Sequence, residues 1–379
     1  MDALLSAKQR AVRRAARNFC ERELSPIARE IDDESRFPWE VAEKMGRLGF
    51  FGLQVPPALS GAGLDSISAA LTVEEVSRSS AGVGLCVSVH NGVVLHPLLK
   101  FGTEEQKERW VPALARGEKI GAFCLTEPNA GSDAAGIEAT AIRDGNHYVV
   151  NANKVYVTNG GIADVCLVFA RTDPGAGRKG ISVVVVERST PGFVVGEQED
   201  MCGMRVNPVC PLRLNDCRVP FSNLLGGEGQ GLAIGLSALD AGRIGIAAQA
   251  LGIAEAALAA AIGYAKQRRQ FGVPIANHQA VQMMIADMAT QVDAARLLLI
   301  RAADLRDRGE DYGQAAAMAK LYASEMAGRV TDAALQVHGG YGYSKSYHVE
   351  RYWRDARITR IYEGTAEIHR MVIARGALG

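Results

Sequence analysis

Between about residue 120 and residue 225 the chain changes texture, and that change limits what it can become. HYVVNANKVYVTN, DVCLVFART, GISVVVVE, FVV and CPLRLNDCRVP are alternating or continuous β-branched runs, the pattern of strands that bury one face or both. DGN, DPGAG and PG separate them as turn signals. Before this stretch, glycines and prolines break a series of helical segments: an opening helix, a second around residues 38–48, then 67–79 and 92–101. After the glycine-rich LLGGEGQG come long helices, Ala-rich over 232–270, amphipathic over 279–308, a third over 312–337, and a short last one from about Thr365. Long antiparallel helices joined by short loops make a bundle. The expected fold class is therefore α+β: an N-terminal α-helical domain over residues 1–119, a β-barrel-like middle domain over 120–228, and a C-terminal four-helix bundle over 229–379.

Charge excludes some functions. The 379 residues carry 42 basic and 42 acidic side chains, so no electrostatic bias directs the chain to nucleic acid or to an acidic membrane surface. No uninterrupted apolar run approaches the roughly 18–20 residues that span a bilayer. The Arg-rich start MDALLSAKQRAVRRAARNF is reminiscent of a transit peptide, but it continues into acidic ERELSPIAREIDDE and reads as a first structural helix. Seven scattered cysteines form no CxxC pair. That argues for reduced thiols in a cytosol-like compartment, and against a disulfide framework or a metal site.

Five strings besides the tail could carry chemistry. In IYEGTAEIHR, Glu363 sits between a bulky Tyr362 and a flexible Gly364–Thr365 step, near the expected start of the last helix. Burial beside an aromatic ring strengthens a carboxylate as a base, whereas a helix N-terminus keeps it ionised. CLTEPNAGSD offers exposed backbone N–H groups and hydroxyls to the edge of a planar polar ring, or is an ordinary turn. In KVYVTNG, Tyr156 and Thr158 lie two apart and so share a strand face, as a wall for a flat heterocycle or as a plain surface pair. RRQFGVPIANHQ places Arg268 where a guanidinium could neutralise a pyrophosphate and Phe271 where a ring could pack on adenine; a solvated helix end is the alternative. QVHGGYGY lets backbone amides approach phosphate, but lacks the spacing and strand of a Rossmann fingerprint. In LDAGRIG, Asp240 and Arg243 share a helix face, as a structural ion pair or a grip on a polar ligand.

Six motifs occur in one order from about residue 120 to 375: the TEPxAGSD loop, the K-x-aromatic-x-TNG strand, the DCRVPxxNLLGxEGxG hinge, the RxxFGxPxxxxQ joint, the GGxGY loop and the RDARIxxIYEGTxEI tail. Together they resemble the acyl-CoA dehydrogenase family, and LDAGRIGIAAQALGIAEAAL is most similar to its short-chain and branched-chain members. The resemblance implies FAD as cofactor and Glu363 as the base that removes the α-proton of an acyl-CoA thioester. The β-hydride passes to FAD and the product is a trans-2-enoyl-CoA. It implies that the thioester oxygen is held by the backbone N–H of the base and a ribityl hydroxyl of the flavin. By the same resemblance Phe123, Leu125, Thr126, Gly131 and Ser132, with Tyr156 and Thr158, flank the flavin. Arg268, Phe271 and Gln279, with Gln336, Gly339 and Gly340, hold the pyrophosphate and adenine across a subunit boundary, and Thr365 and Glu367 complete that end. Ser132, Asp240 and Arg243 line the CoA arm, with Tyr362 and Gly364 at the substrate.

Two departures stand out: Tyr156 replaces a frequent Trp, and Gly242 occupies the position from which some members draw their base. The resemblance further implies a homotetramer, an electron-transferring flavoprotein as acceptor, a cytoplasmic location, and a short straight or methyl-branched acyl group. A cyclic or other acyl-CoA, a flavin oxidase, a decarboxylating enzyme and a non-catalytic homologue are the alternatives. For decarboxylation of a dicarboxylic thioester, VSVHNGVVLHP offers histidines but no Arg.

Overall fold

Local capping sets the first helices. The computed structural model describes residues 4–379, so the start of the expected opening helix at Met1 lies outside the described residues. Helix α1 (Ala7–Glu23) begins at a reciprocal Ser6–Gln9 capping box, which satisfies two orphan donors of its first turn. Helices α2 (Ala28–Asp33) and α3 (Trp39–Arg47) follow, and Asp65 caps α4 (Ser66–Ser79).

The next segment departs from the sequence reading. A helix expected only over 92–101 instead starts as α5 (Ala81–Val89), passes through a π-helical turn at His90–Leu95, and ends as α6 (His96–Phe101). Every residue of α5 is buried. A helix with no polar face gives no 3.6-residue signal, which hid it. His90 fixes the π turn: its Nδ1 accepts from the Gly121 amide at 3.1 Å and its Nε2 meets the Leu114 carbonyl at 3.0 Å. Helix α7 (Glu104–Ala115), opened by a Thr103–Gln106 capping box, was also not anticipated.

The middle zone holds β1 (Gly121–Cys124), β2 (Thr140–Asp144), β3 (His147–Val157), β4 (Val165–Arg171), β5 (Ile181–Glu187), β6 (Phe193–Val195), β7 (Cys210–Pro220) and β8 (Leu224–Leu225). They form one sheet in the order β6-β7-β3-β2-β4-β5-β8, with β1 parallel to β4. The VCLVFA and ISVVVV runs pair with each other and are buried on both faces.

The last zone opens with α8 (Gly231–Gln267), followed by the short hairpin β9 (Arg269–Gln270) and β10 (Val273–Pro274). Then come α9 (Gln279–Asp307), α10 (Gly313–His338), α11 (Val349–Ile358) and α12 (Ala366–Leu378). Alanines and glycines on α8 and α10 let these helices pack closely, and α4 lies against α8 as well. Two spans, Ala81–Phe101 and Gly231–Gln267, do have the length and composition to cross a membrane, with 78% and 72% of their most apolar windows buried inside the protein. Neither span is an unbroken apolar run: His90, Asn91 and Lys100 interrupt the first, and Asp240 and Arg243 the second. Here their apolar surface forms the core.

Candidate active site

Between α11 and α12 the chain makes a tight turn that carries Glu363. Its backbone is left-handed (φ 48°), as is that of Gly364 (φ 98°). For a residue with a side chain that conformation costs about 1–3 kcal/mol and persists only where its surroundings impose it. Here the Ala366 amide bonds the Arg360 carbonyl at 3.0 Å, and Thr365 caps α12. Lys320 Nζ on α10 donates to the Gly364 carbonyl at 2.6 Å, and the Tyr362 hydroxyl donates to the Gln249 side chain.

The residue as a whole keeps some exposure, but both carboxylate oxygens of Glu363 are sealed from solvent and have no hydrogen-bond partner. Burial pushes Glu363 up to about 7 from its ordinary 4.5, against the pull of Lys320 and then Arg243. The amide N–H of Glu363 also lacks a partner among the described residues. The carboxylate rests over Gly242 of α8, where an added Cβ would come within 2.2 Å of Glu363 Oε2 and 2.8 Å of Val93 Cγ1. Position 242 and Glu363 thus reach the same space from opposite sides. Asp240 and Arg243 pair one turn along α8 at 2.5 Å. Arg243 is buried, and its Nε has no partner.

A second cluster forms where β1 and β3 meet. Phe123, Leu125 and Thr126 are half-buried, while Gly131 and Ser132 are exposed. The loop is shaped by a pair that sequence reasoning missed: Lys154 Nζ, fully buried, bonds Glu127 at 2.6 Å and the Leu125 carbonyl at 3.0 Å. Glu127 also accepts the amides of Glu138 at 2.5 Å and Ala139 at 3.1 Å. A buried charge of either sign is costly unless paired in this way. The Val155 amide bonds the Thr126 carbonyl at 3.0 Å, so the loop lies on the end of β3.

The same-face argument for Tyr156 and Thr158 needs correction. The β3–β7 register slips between Lys154 and Val157, Tyr156 takes φ 53°, and β3 ends at Val157. A bulge breaks strict alternation, so the two-residue period does not place these side chains together. Tyr156 is 63% exposed and Thr158 is half-buried. The hydroxyls of Thr126, Ser132 and Thr158 have no hydrogen bonds among the described residues.

The remaining residues gather at the far end of α8. Gly242 and Arg268 are about 39 Å apart at a rise of about 1.5 Å per residue. Phe271 and Gly272 form the tip of the β9–β10 hairpin, both left-handed, and Phe271 is 95% exposed. The Arg268 guanidinium lies over the Tyr341 ring at 5.7 Å, which joins this joint to the Gly339–Tyr343 turn. Gln279 begins α9; Gln336, Gly339 and Gly340 are exposed at the end of α10, and a Cβ on either glycine would meet nothing within 4 Å. Thr365 and Glu367, by contrast, sit at the start of α12 beside Glu363 and apart from Arg268.

Of the histidines weighed for a dicarboxylic substrate, His90 is buried and His96 half-buried, and both are neutral. Burial pushes His90 down to about 4 and His96 to about 3.

Comparison with known proteins finds three domains of one family in order along the chain. Residues 6–118, 122–217 and 229–378 match the models for the N-terminal, middle and C-terminal domains of acyl-CoA dehydrogenases. The chain is 48% identical to the mitochondrial short-chain specific acyl-CoA dehydrogenase of Bos taurus over 363 residues, 96% of this chain and 88% of that one. The solved structure of butyryl-CoA dehydrogenase from Megasphaera elsdenii superposes with a TM-score of 0.97 at 43% identity, covering 99% of each chain. A chain from the structure described as the electron transferring flavoprotein of Acidaminococcus fermentans does so at 0.98 and 46% identity, covering 100% of both. The chain belongs to the acyl-CoA dehydrogenase family.

Proposed function

We propose that the protein is an FAD-dependent dehydrogenase that converts a short straight or methyl-branched acyl-CoA to its trans-2-enoyl-CoA, with Glu363 as the base. One observation carries this reading: a sealed carboxylate with two unpartnered oxygens, beside its own unpaired amide N–H. Glu363 takes the α-proton on a carboxylate oxygen as the α-C–H bond breaks. Its N–H is free to hydrogen-bond the thioester oxygen as enolate character develops, where a preorganised donor helps most. Both jobs need the left-handed turn, which sets carboxylate and amide of one residue on one reacting unit. A base near 7 is well matched to a weak carbon acid at neutral pH. Turnover should therefore fall as pH drops through about 7, because Glu363 becomes protonated.

FAD, when bound, supplies the acceptor for the β-hydride. The residues present fit it. Thr126, Ser132 and Thr158 offer unpaired hydroxyls and Tyr156 an exposed ring, with Phe123, Leu125 and Gly131 in the same cluster. Arg268, Phe271, Gln279, Gln336, Gly339 and Gly340 form an exposed, cationic and aromatic patch suited to a pyrophosphate and adenine. Their distance from Glu363 supports their serving the cofactor of a second copy, and so a homotetramer. Thr365 and Glu367 fit the flavin of their own copy better, since they adjoin the base. Asp240, Arg243 and Ser132 are proposed for the CoA arm, and Tyr362 and Gly364 for the acyl end.

The short acyl group is supported by the relatives' substrates and by Val93, which meets the base over Gly242. An electron-transferring flavoprotein as acceptor is supported by the Acidaminococcus neighbour. Seven free thiols favour a reducing, cytoplasmic location. Domain limits at 119/120 and 228/229 are supported by where the family models end and begin. The test is anaerobic titration of the flavin-loaded protein with butyryl-CoA. The reading expects the visible flavin bands to bleach stoichiometrically. A protein that binds FAD but is bleached by no acyl-CoA would overturn it.

A further inference from the structure

A buried ammonium and a sealed carboxylate meet at one turn, and neither has an ion-pair partner among the described residues. Lys320 is fully buried in α10, yet no carboxylate lies within ion-pair distance of its ammonium among the described residues. Its hydrogen bond is to the Gly364 carbonyl, at 2.6 Å. Glu363, one residue earlier, has both oxygens sealed and unpaired. An isolated ammonium or carboxylate away from water is expensive, and each of these two is the leading opposite charge acting on the other.

We propose that Lys320 is the positioning residue of the base: it clamps the Glu363–Gly364 turn by the Gly364 carbonyl and keeps the carboxylate anionic without touching it. The tether matters chemically. A direct salt bridge would occupy the lone pairs that must receive the α-proton. Held on the neighbouring carbonyl, the ammonium contributes its field and leaves the oxygens free. Other charged or titratable groups around the turn do not replace it. Arg243 on α8 is already paired with Asp240, and Glu367 on α12 is exposed. His369 on α12 is buried with both ring nitrogens unpartnered, and burial pushes it down to about 3, so it stays neutral. Tyr362 is held to Gln249 and pushed up by burial, so it stays neutral too. Burial brings Lys320 itself down to about 7, opposed by Glu363, and the two therefore titrate as a pair.

The inference rests on the reading of Glu363 as the base, but its test does not depend on turnover. The protonated carboxyl of Glu363 is followed by infrared difference spectroscopy of the FAD-loaded protein across pH, with Glu363→Gln as the blank. Lys320→Met removes charge and clamp; Lys320→Gln removes the charge and keeps a donor for the carbonyl. Both should retain FAD and shift the Glu363 titration upward by about one to three pH units, the usual effect of a nearby opposite charge. The acid limb of kcat/KM should shift with it, and Lys320→Met should lose more kcat than Lys320→Gln. A Glu363 titration that stays in place in both variants overturns the proposal, even if turnover falls. Normal turnover in Glu363→Gln would sink the base reading and leave the infrared result standing.

Discussion

The two ends of α8 make opposite kinds of site. At the Gly242 end a carboxylate, a lysine and an arginine are buried within one chain and held by Gln249, Arg360 and the cap of α12. At the Arg268 end the side chains are exposed: Phe271 at 95% on a left-handed hairpin tip, Tyr343 at 85%, and a guanidinium with no carboxylate partner among the described residues. A large exposed aromatic on a strained turn costs the monomer twice and returns nothing to it. The near end is complete by itself. On the proposed reading the far end is a half-site, completed by a second copy.

The largest way to break that contrast is at the near end. Glu363→Gln preserves shape and removes only the proton acceptor, so kcat should fall by about 10³-fold or more, the upper range for a general base, with FAD retained. Near-normal turnover would mean that the sealed carboxylate is not the base. Gly242→Ala sharpens the same point. Its Cβ would arrive 2.2 Å from Glu363 Oε2 and must push the carboxylate aside. A displacement of about 1 Å costs on the order of 10²-fold in rate, so kcat should drop with little loss of FAD. An unimpaired variant would show that the base is not confined against α8.

A sealed carboxylate also leaves a mark on stability. The folded state raises Glu363 from 4.5 to about 7 and so binds its proton more tightly than the unfolded chain does. Its contribution is fully present below about pH 4.5 and is lost as pH rises through about 7. At about 1.4 kcal/mol per unit, the loss reaches about 3 kcal/mol. Glu363→Gln escapes it, so denaturant unfolding should show the variant gaining on the parent across that window. Parallel pH curves would place the Glu363 carboxylate in water.

The same contrast explains what the sequence could disclose. The three zones were legible because β-branched runs and long Ala-rich helices differ in composition, and α8, α9 and α10 fall within three residues of their expected limits at either end. Glu363, Asp240 and Arg243 were legible because their motifs are contiguous. Residues acting across the fold were not. Lys154 and Glu127 lie on different segments, and Lys320 meets the turn only through tertiary packing. One signal did exist for Lys320: it falls in line with Ala316, Ala323 and Ala327 on the buried stripe of α10, where a solvated lysine does not belong. Tyr156 misled because a bulge is invisible to a two-residue period, and α5 because it has no polar face.

The smallest expected effect tests the far end. Arg268 is exposed and its charge is unpaired among the described residues, so Arg268→Ala should leave the stability of the isolated chain within about 0.5 kcal/mol. If its guanidinium holds a pyrophosphate, loss of that charge-assisted bond should weaken FAD binding by about 1.5–3 kcal/mol, roughly ten- to a hundredfold. The defect should be visible as flavin lost on dilution, and it should deepen as protein concentration falls if the cofactor belongs to a neighbouring copy. Unchanged flavin affinity would remove Arg268 from the cofactor site. Weakened affinity that does not depend on protein concentration would return Arg268 to the flavin of its own chain, which the length of α8 argues against.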